Sequence, residues 1–157
     1  MKVTLCFRKA NSHWLSKLVA KLTKSKYDHS EMIIGTVWVG AHFKGGVTTR
    51  HVEYPLHATW DYIDVEIDPA YNHKAVEFVD KVRGDKYDFL GAIVGEGLNL
   101  PAFNIKNKYF CSELVTSIMQ QFNAKEVKGI NPVTISPQEL YELFEKTGTK
   151  HNGQKAK

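Results

Sequence analysis

Cys111 and His29 are the two residues whose types and settings most invite chemistry. The stretch NKYFCSELV places Cys111 where an aromatic extended segment passes into an apolar-periodic helix, with Leu114, Val115, Ile118, Met119 and Phe122 at helical spacing. A thiolate at a helix N-terminus is stabilised by the positive end of the helix dipole and by unpaired backbone N–H groups. These can lower a cysteine pKa from about 8.5 towards 7 or below. Glu113, in the first turn, suits the dipole and opposes the thiolate slightly. On position alone, a small buried hydrophobe is the competing reading of Cys111.

A nucleophile needs a base, and His29 is the best candidate. It falls early in YDHSEMIIG, where Ile33 and Ile34 mark a buried strand. At period two Glu31 shares its face, while Ser30, Met32 and Ile34 take the other. A lone strand histidine also serves as a satisfied structural residue, and that reading stands beside the catalytic one.

Other constellations carry less. His42, His51, His57 and Glu53 cluster in sequence without the tight spacing of a preformed zinc site, and Cys6 and Cys111 are unpaired. No metal or other cofactor is expected. Two cysteines form no disulfide framework, so free thiols are expected. The net charge of +4 would favour anionic partners, but no nucleic-acid motif accompanies it and no nucleic-acid partner is expected. No apolar run approaches the roughly 20 residues of a membrane span, and the N-terminus has no signal-peptide core. Cytoplasmic retention is expected, with delivery to a cell wall by another route left open.

The elements that must hold these side chains read as follows. MKVTLCFRK alternates Val3, Leu5 and Phe7 against Thr4, Cys6 and Arg8, a strand with Cys6 on the face opposite the apolar residues. Asn11 or Ser12 caps a helix with Trp14, Leu15, Leu18, Val19 and Leu22 on one stripe and lysines on the other. YDHSEMIIG, TVWVGAHF, GVTTRHVEY and TWDYIDVEID are four strands with short connections, expected to form an antiparallel meander. Asp68 caps a helix with Pro69 at its first position, running to Gly84. A helix from Asp88 to about Gly95 and a loop to Asn107 precede the cysteine helix. Ser136, Pro137 and Glu139 open the last helix with a capping box. Strands followed by helices predict an α+β fold: one domain over residues 1–148, with a flexible basic tail over 149–157.

Taken together, GDKYDFLGAIV and YFCSELV resemble the signature of the NlpC/P60 superfamily of papain-like cysteine enzymes. A histidine strand that precedes the cysteine helix resembles its circularly permuted branch, which includes YiiX/YaeF-like amidases and lecithin retinol acyltransferase-like proteins. SPQELYELF resembles that branch's closing Ser/Thr-Pro-x-x-Leu. The resemblance spans about Tyr27 to Phe144. It implies a permuted papain-like fold with Cys111 as nucleophile, His29 as general base, and the Tyr87 hydroxyl near the cysteine. The family's third member, which orients the imidazole, aligns best with Gly40, which has no side chain. His42, two residues on and on the same face, is the expected substitute; Glu31, Glu53, a backbone carbonyl or water are alternatives.

The expected function is that of a cysteine hydrolase, an amidase or endopeptidase of bacterial or phage type. It would cleave an amide in a peptide or acyl-amide substrate, such as a peptidoglycan peptide, through a thioester. A non-catalytic binding module with the same cleft, suggested by Gly40, and an acyltransferase or lipid-ester hydrolase are the competing readings.

Overall fold

The period-two alternation of the first strand divides its side chains between two apolar layers, and that division organises the molecule. The computed structural model describes residues 1–10, 25–87 and 108–153. Its strands are β1 (Lys2–Lys9), β2 (Tyr27–Ile34), β3 (Val37–His42), β4 (Gly46–His51), β5 (Trp60–Glu66), β6 (Lys86–Tyr87), β7 (Lys108–Tyr109) and β8 (Thr149–Asn152). Its α-helices, among the described residues, are α1 (Asn72–Val82), α2 (Cys111–Gln121) and α3 (Pro137–Phe144). Six strands form one sheet in the order β4-β3-β2-β1-β5-β8, antiparallel throughout. The fold is α+β.

Val3, Leu5 and Phe7 of β1 face the helices, in one core with Met32, Val39 and Ile63 of the sheet and Leu114, Val115, Ile118 and Met119 of α2. Cys6 points the other way, into a smaller cluster with Ile33, Trp38 and Tyr62. Burying each of these large side chains contributes about 1.5–3 kcal/mol, so both faces of the sheet are held. Among the described residues no helix is long and apolar enough to cross a membrane.

Two expectations of topology are corrected. The meander holds for β2, β3 and β4, but β5 crosses to the far side of β1 and pairs with it from Lys2↔Glu66 to Arg8↔Trp60. Alternation fixes a strand's faces and says nothing of its neighbour, so short connections alone did not determine this pairing. The basic stretch from Thr149 is also no free tail as far as Asn152, because it adds β8 to β5 with Asp64↔Thr149 and Asp61↔Asn152 in register. Its side chains have partners there: Lys150 pairs with Glu145 at 3.5 Å, and His151 Nε2 lies 3.2 Å from Asp64 Oδ1 and stacks on Tyr62 with ring centroids 5.3 Å apart.

The predicted caps are present. Asp68 accepts from the Ala70 N–H at 2.9 Å, opening a 3-10 turn at Pro69–Tyr71 that leads into α1, and the chain leaves α1 through Gly84 at φ +87°. Ser136 and Glu139 form the reciprocal capping box of α3, with Ser136 N–H donating to Glu139 Oε2 at 2.8 Å and Glu139 N–H to Ser136 Oγ at 3.2 Å. The lysine-striped helix from Asn11 and the helix expected from Asp88 lie outside the described residues.

A short parallel pair aims the cysteine helix. β6 and β7 match Tyr87 to Tyr109, two residues before Cys111. β6 is itself fastened to β4, since Val47 N–H donates to Asp85 O at 2.8 Å and Gly84 N–H to Val47 O at 2.9 Å. That fastening requires Gly46, at φ +65°, where a Cβ would stand 2.1 Å from the Asp85 carbonyl oxygen.

Candidate active site

Cys111 is the first residue of α2, after Phe110 in extended conformation. No side chain caps this helix start, although Glu113 Oε2 accepts from the Phe110 N–H at 3.3 Å. Backbone N–H groups of Ser112, in the first turn, and of Ser30, on β2, hydrogen-bond to the sulfur. Ser30 can contribute because the β2–β3 ladder runs only from Ile34↔Val37 to Met32↔Val39. Beyond that point β2 is released from β3, and a backbone donor is turned to the thiol.

The His29 imidazole hydrogen-bonds to the Cys111 sulfur. Its Nε2 bonds Glu31 Oε1 at 2.9 Å, which leaves Nδ1 as the ring nitrogen for the sulfur. Glu31 is 1% exposed and has two further partners, Arg50 on Oε2 at 3.3 Å and His42 Nε2 on Oε1 at 3.3 Å. Arg50 is held in turn over the Trp38 ring, 4.3 Å from its centroid. Trp60 closes the site edge-on to His29, with centroids 6.0 Å apart.

Charge alternates along this line. Burial is the largest influence on the Cys111 thiol and pushes its pKa up. The facing imidazolium, its hydrogen bond and the two backbone donors outweigh burial, so the thiol lies below its ordinary value. Burial likewise pulls His29 down, but the thiolate and Glu31 overcome it and raise the imidazole to about 10. For Glu31, burial opposes ionisation, yet His29, His42 and Arg50 hold the carboxyl below its usual range. The groups therefore favour one another's charged forms in sequence, Cys111 towards thiolate, His29 towards imidazolium and Glu31 towards carboxylate beside Arg50. Cys6 provides the contrast: burial and the nearby Glu31 push it well above an ordinary thiol.

The expected third member is corrected. Glu31, not His42, touches the far nitrogen of His29. His42 sits on the other side of the carboxylate, its Nε2 3.3 Å from Oε1, and its own pKa is lowered, by burial first. Glu53 is exposed in the chain after β4. The bare position at Gly40 follows from the same arrangement. A Cβ there would lie 2.7 Å from Glu31 Cδ and 2.8 Å from its Cγ and Oε1. The missing side chain, which had pointed to a cleft without chemistry, is the space the carboxylate fills. Gly40→Ala is expected to lower stability by about 1–3 kcal/mol through this overlap, read from the urea midpoint. An unchanged midpoint would mean that Glu31 does not lie across Gly40.

Tyr87 is placed by its backbone at the end of β6; its hydroxyl lies outside the described side chains. His51 and His57, of the sequence cluster considered for zinc, are exposed and stand apart from His42. Sequence reasoning did not find Arg50 or the Ser30 N–H. Arg50 reaches Glu31 through the Trp38↔Arg50 register of β3 and β4, and Ser30 contributes backbone alone. Glu31 did leave a signal, a carboxylate two residues from a histidine on one face of a buried strand.

Compared with known proteins, the chain matches no family model and no curated protein.

Proposed function

We propose that this protein is a cysteine hydrolase of the permuted papain-like, NlpC/P60 type, acting on an amide bond. The observation that carries this reading is the alignment of Cys111, His29 and Glu31: a helix-start thiol, a buried imidazole on a strand and a carboxylate behind it. Such an order of nucleophile, base and orienting group is the logic of acyl-transfer triads. An antiparallel sheet and a histidine strand preceding the cysteine helix support the permuted topology. The ionised carboxylate behind His29 favours an enzyme over a binding module with an idle cleft.

The thiolate attacks the carbonyl carbon, forming the C–S bond while the carbonyl electrons move to oxygen. The backbone N–H of Cys111, at the helix start, is the proposed donor to that oxyanion. As the tetrahedral intermediate collapses, the C–N bond breaks and the imidazolium gives its proton to the leaving amine. The neutral imidazole then takes a proton from water, whose oxygen attacks the thioester, releasing the acid and restoring thiolate and imidazolium. Glu31 holds the ring and stabilises its positive form throughout. By the resemblance, Tyr87 lies beside the nucleophile and orients the substrate. A peptide or acyl-amide donor, such as a cell-wall peptide, is the proposed substrate class.

Acid quenching during turnover of a peptidyl or acyl-amide donor, followed by intact-mass analysis, should show one acyl group on Cys111. Discharge of that thioester by water identifies a hydrolase, and preferential discharge by an added amine an acyltransferase. Turnover with no acyl adduct on Cys111 under any quench would contradict covalent catalysis.

A further inference from the structure

Ligand atoms of His29, Glu31 and His42, one from each, lie within 4.8 Å of one another, at the end of the β2–β3 pair. Two of the separations are 2.9 Å and 3.3 Å, both centred on Oε1. Ligand atoms about 2.0–2.2 Å from a zinc ion stand about 3.0 Å apart at a right angle and about 3.4 Å apart at a tetrahedral one, so these separations already match neighbouring vertices of a metal polyhedron. Imidazole nitrogens select ions of the zinc and cobalt class over magnesium or calcium, which prefer oxygen. Arg50 engages Oε2, leaving Oε1 as a monodentate ligand. The His42 side chain is 41% exposed, which gives an ion a route in and water a place to complete its shell. Cys111 is on the other nitrogen of His29 and is no part of the set.

We propose that His29, Glu31 and His42 form a binding site for a divalent ion of the zinc class, and that its occupation reversibly shuts off the catalytic histidine. The ion takes the Nε2 lone pair of each histidine and takes over Oε1, any proton on either Nε2 passing to solvent. His29 then keeps a proton only on Nδ1 and is tied through Nε2 to the metal, so it loses the contact with Glu31 that stabilises its cationic form. The inhibitory consequence rests on the hydrolase reading above; the binding does not.

The two are tested apart. Cobalt(II), followed by its visible absorption, and zinc(II), followed by calorimetry, are titrated into the Cys111→Ala protein, which has no active-site sulfur to compete. One equivalent is expected to bind, magnesium should not displace it, and adding His42→Ala should weaken binding at least tenfold. Because His42 is partly exposed, that variant is expected to fold; circular dichroism and the urea midpoint check this. Unaltered affinity without His42, or failure of the Cys111→Ala protein to bind either ion, would overturn the site. In the unsubstituted protein, zinc is expected to inhibit turnover and a chelator to restore it. If binding is found and turnover is insensitive to it, the inhibitory role falls while the site stands.

Discussion

Cys111→Ala is expected to abolish turnover of any amide donor the protein accepts, a loss of about 10⁴-fold or more by analogy with removal of other triad nucleophiles. The same variant should keep its fold, with a urea midpoint equivalent to within about 1 kcal/mol, since a small apolar group replaces another of similar size. Loss of the thiolate removes a buried negative charge opposite His29, and that charge is the foremost influence raising the imidazole. The ring can respond by releasing its proton, which avoids leaving an unpaired buried cation. Retention of full activity would eliminate the covalent mechanism, and collapse of the fold would mean that the sulfur is chiefly structural.

Glu31 carries the second large effect. Glu31→Gln preserves shape but cannot balance the imidazolium, and kcat/KM should fall by about 10²-fold or more. A purely structural role would not predict the accompanying pH change. The carboxylate raises the His29 pKa, and the imidazolium in turn lowers that of Cys111. Without the carboxylate charge, the alkaline limb of the activity profile, set by His29, should move down, and the acid limb, set by Cys111, should move up. The active window narrows from both sides. Glu31→Ala goes further, leaving Arg50 and His29 facing a buried void, and should cost about 3–5 kcal/mol in stability. Activity and pH limits unchanged in Glu31→Gln would remove Glu31 from the triad and return the role to His42 or water.

The site was legible in the sequence where its signals were local. The period of two in MKVTLCFRK put Cys6 on the face away from Val3, Leu5 and Phe7, and the structure places it there. The cysteine helix starts at Cys111, with Leu114, Val115, Ile118, Met119 and Phe122 all buried. Signals that depend on strand partners were not legible. Gly40 registered as a missing catalytic side chain because its neighbour across the sheet is unknown until β2 and β3 are paired. Only then does Glu31 occupy the space above it. Arg50 was silent for the same reason, being one cation among many until β4 brings it to Trp38. The charge of the C-terminal stretch suggested a solvated tail because the strand it joins, β5, with Asp64 against His151, lies about 90 residues away in sequence, too far for any short-range pattern to register.

All of these relations bear on one claim, that the Cys111 thiol ionises below its ordinary value because His29 faces it. The rate of Cys111 alkylation by iodoacetamide against pH, located by peptide mass, tests this most directly. Half-maximal reactivity is expected below the ordinary thiol value of about 8.5, moving upward in His29→Ala, while buried Cys6 stays unlabelled in the folded protein. A Cys111 midpoint at or above that ordinary value, the same with and without His29, would contradict the account.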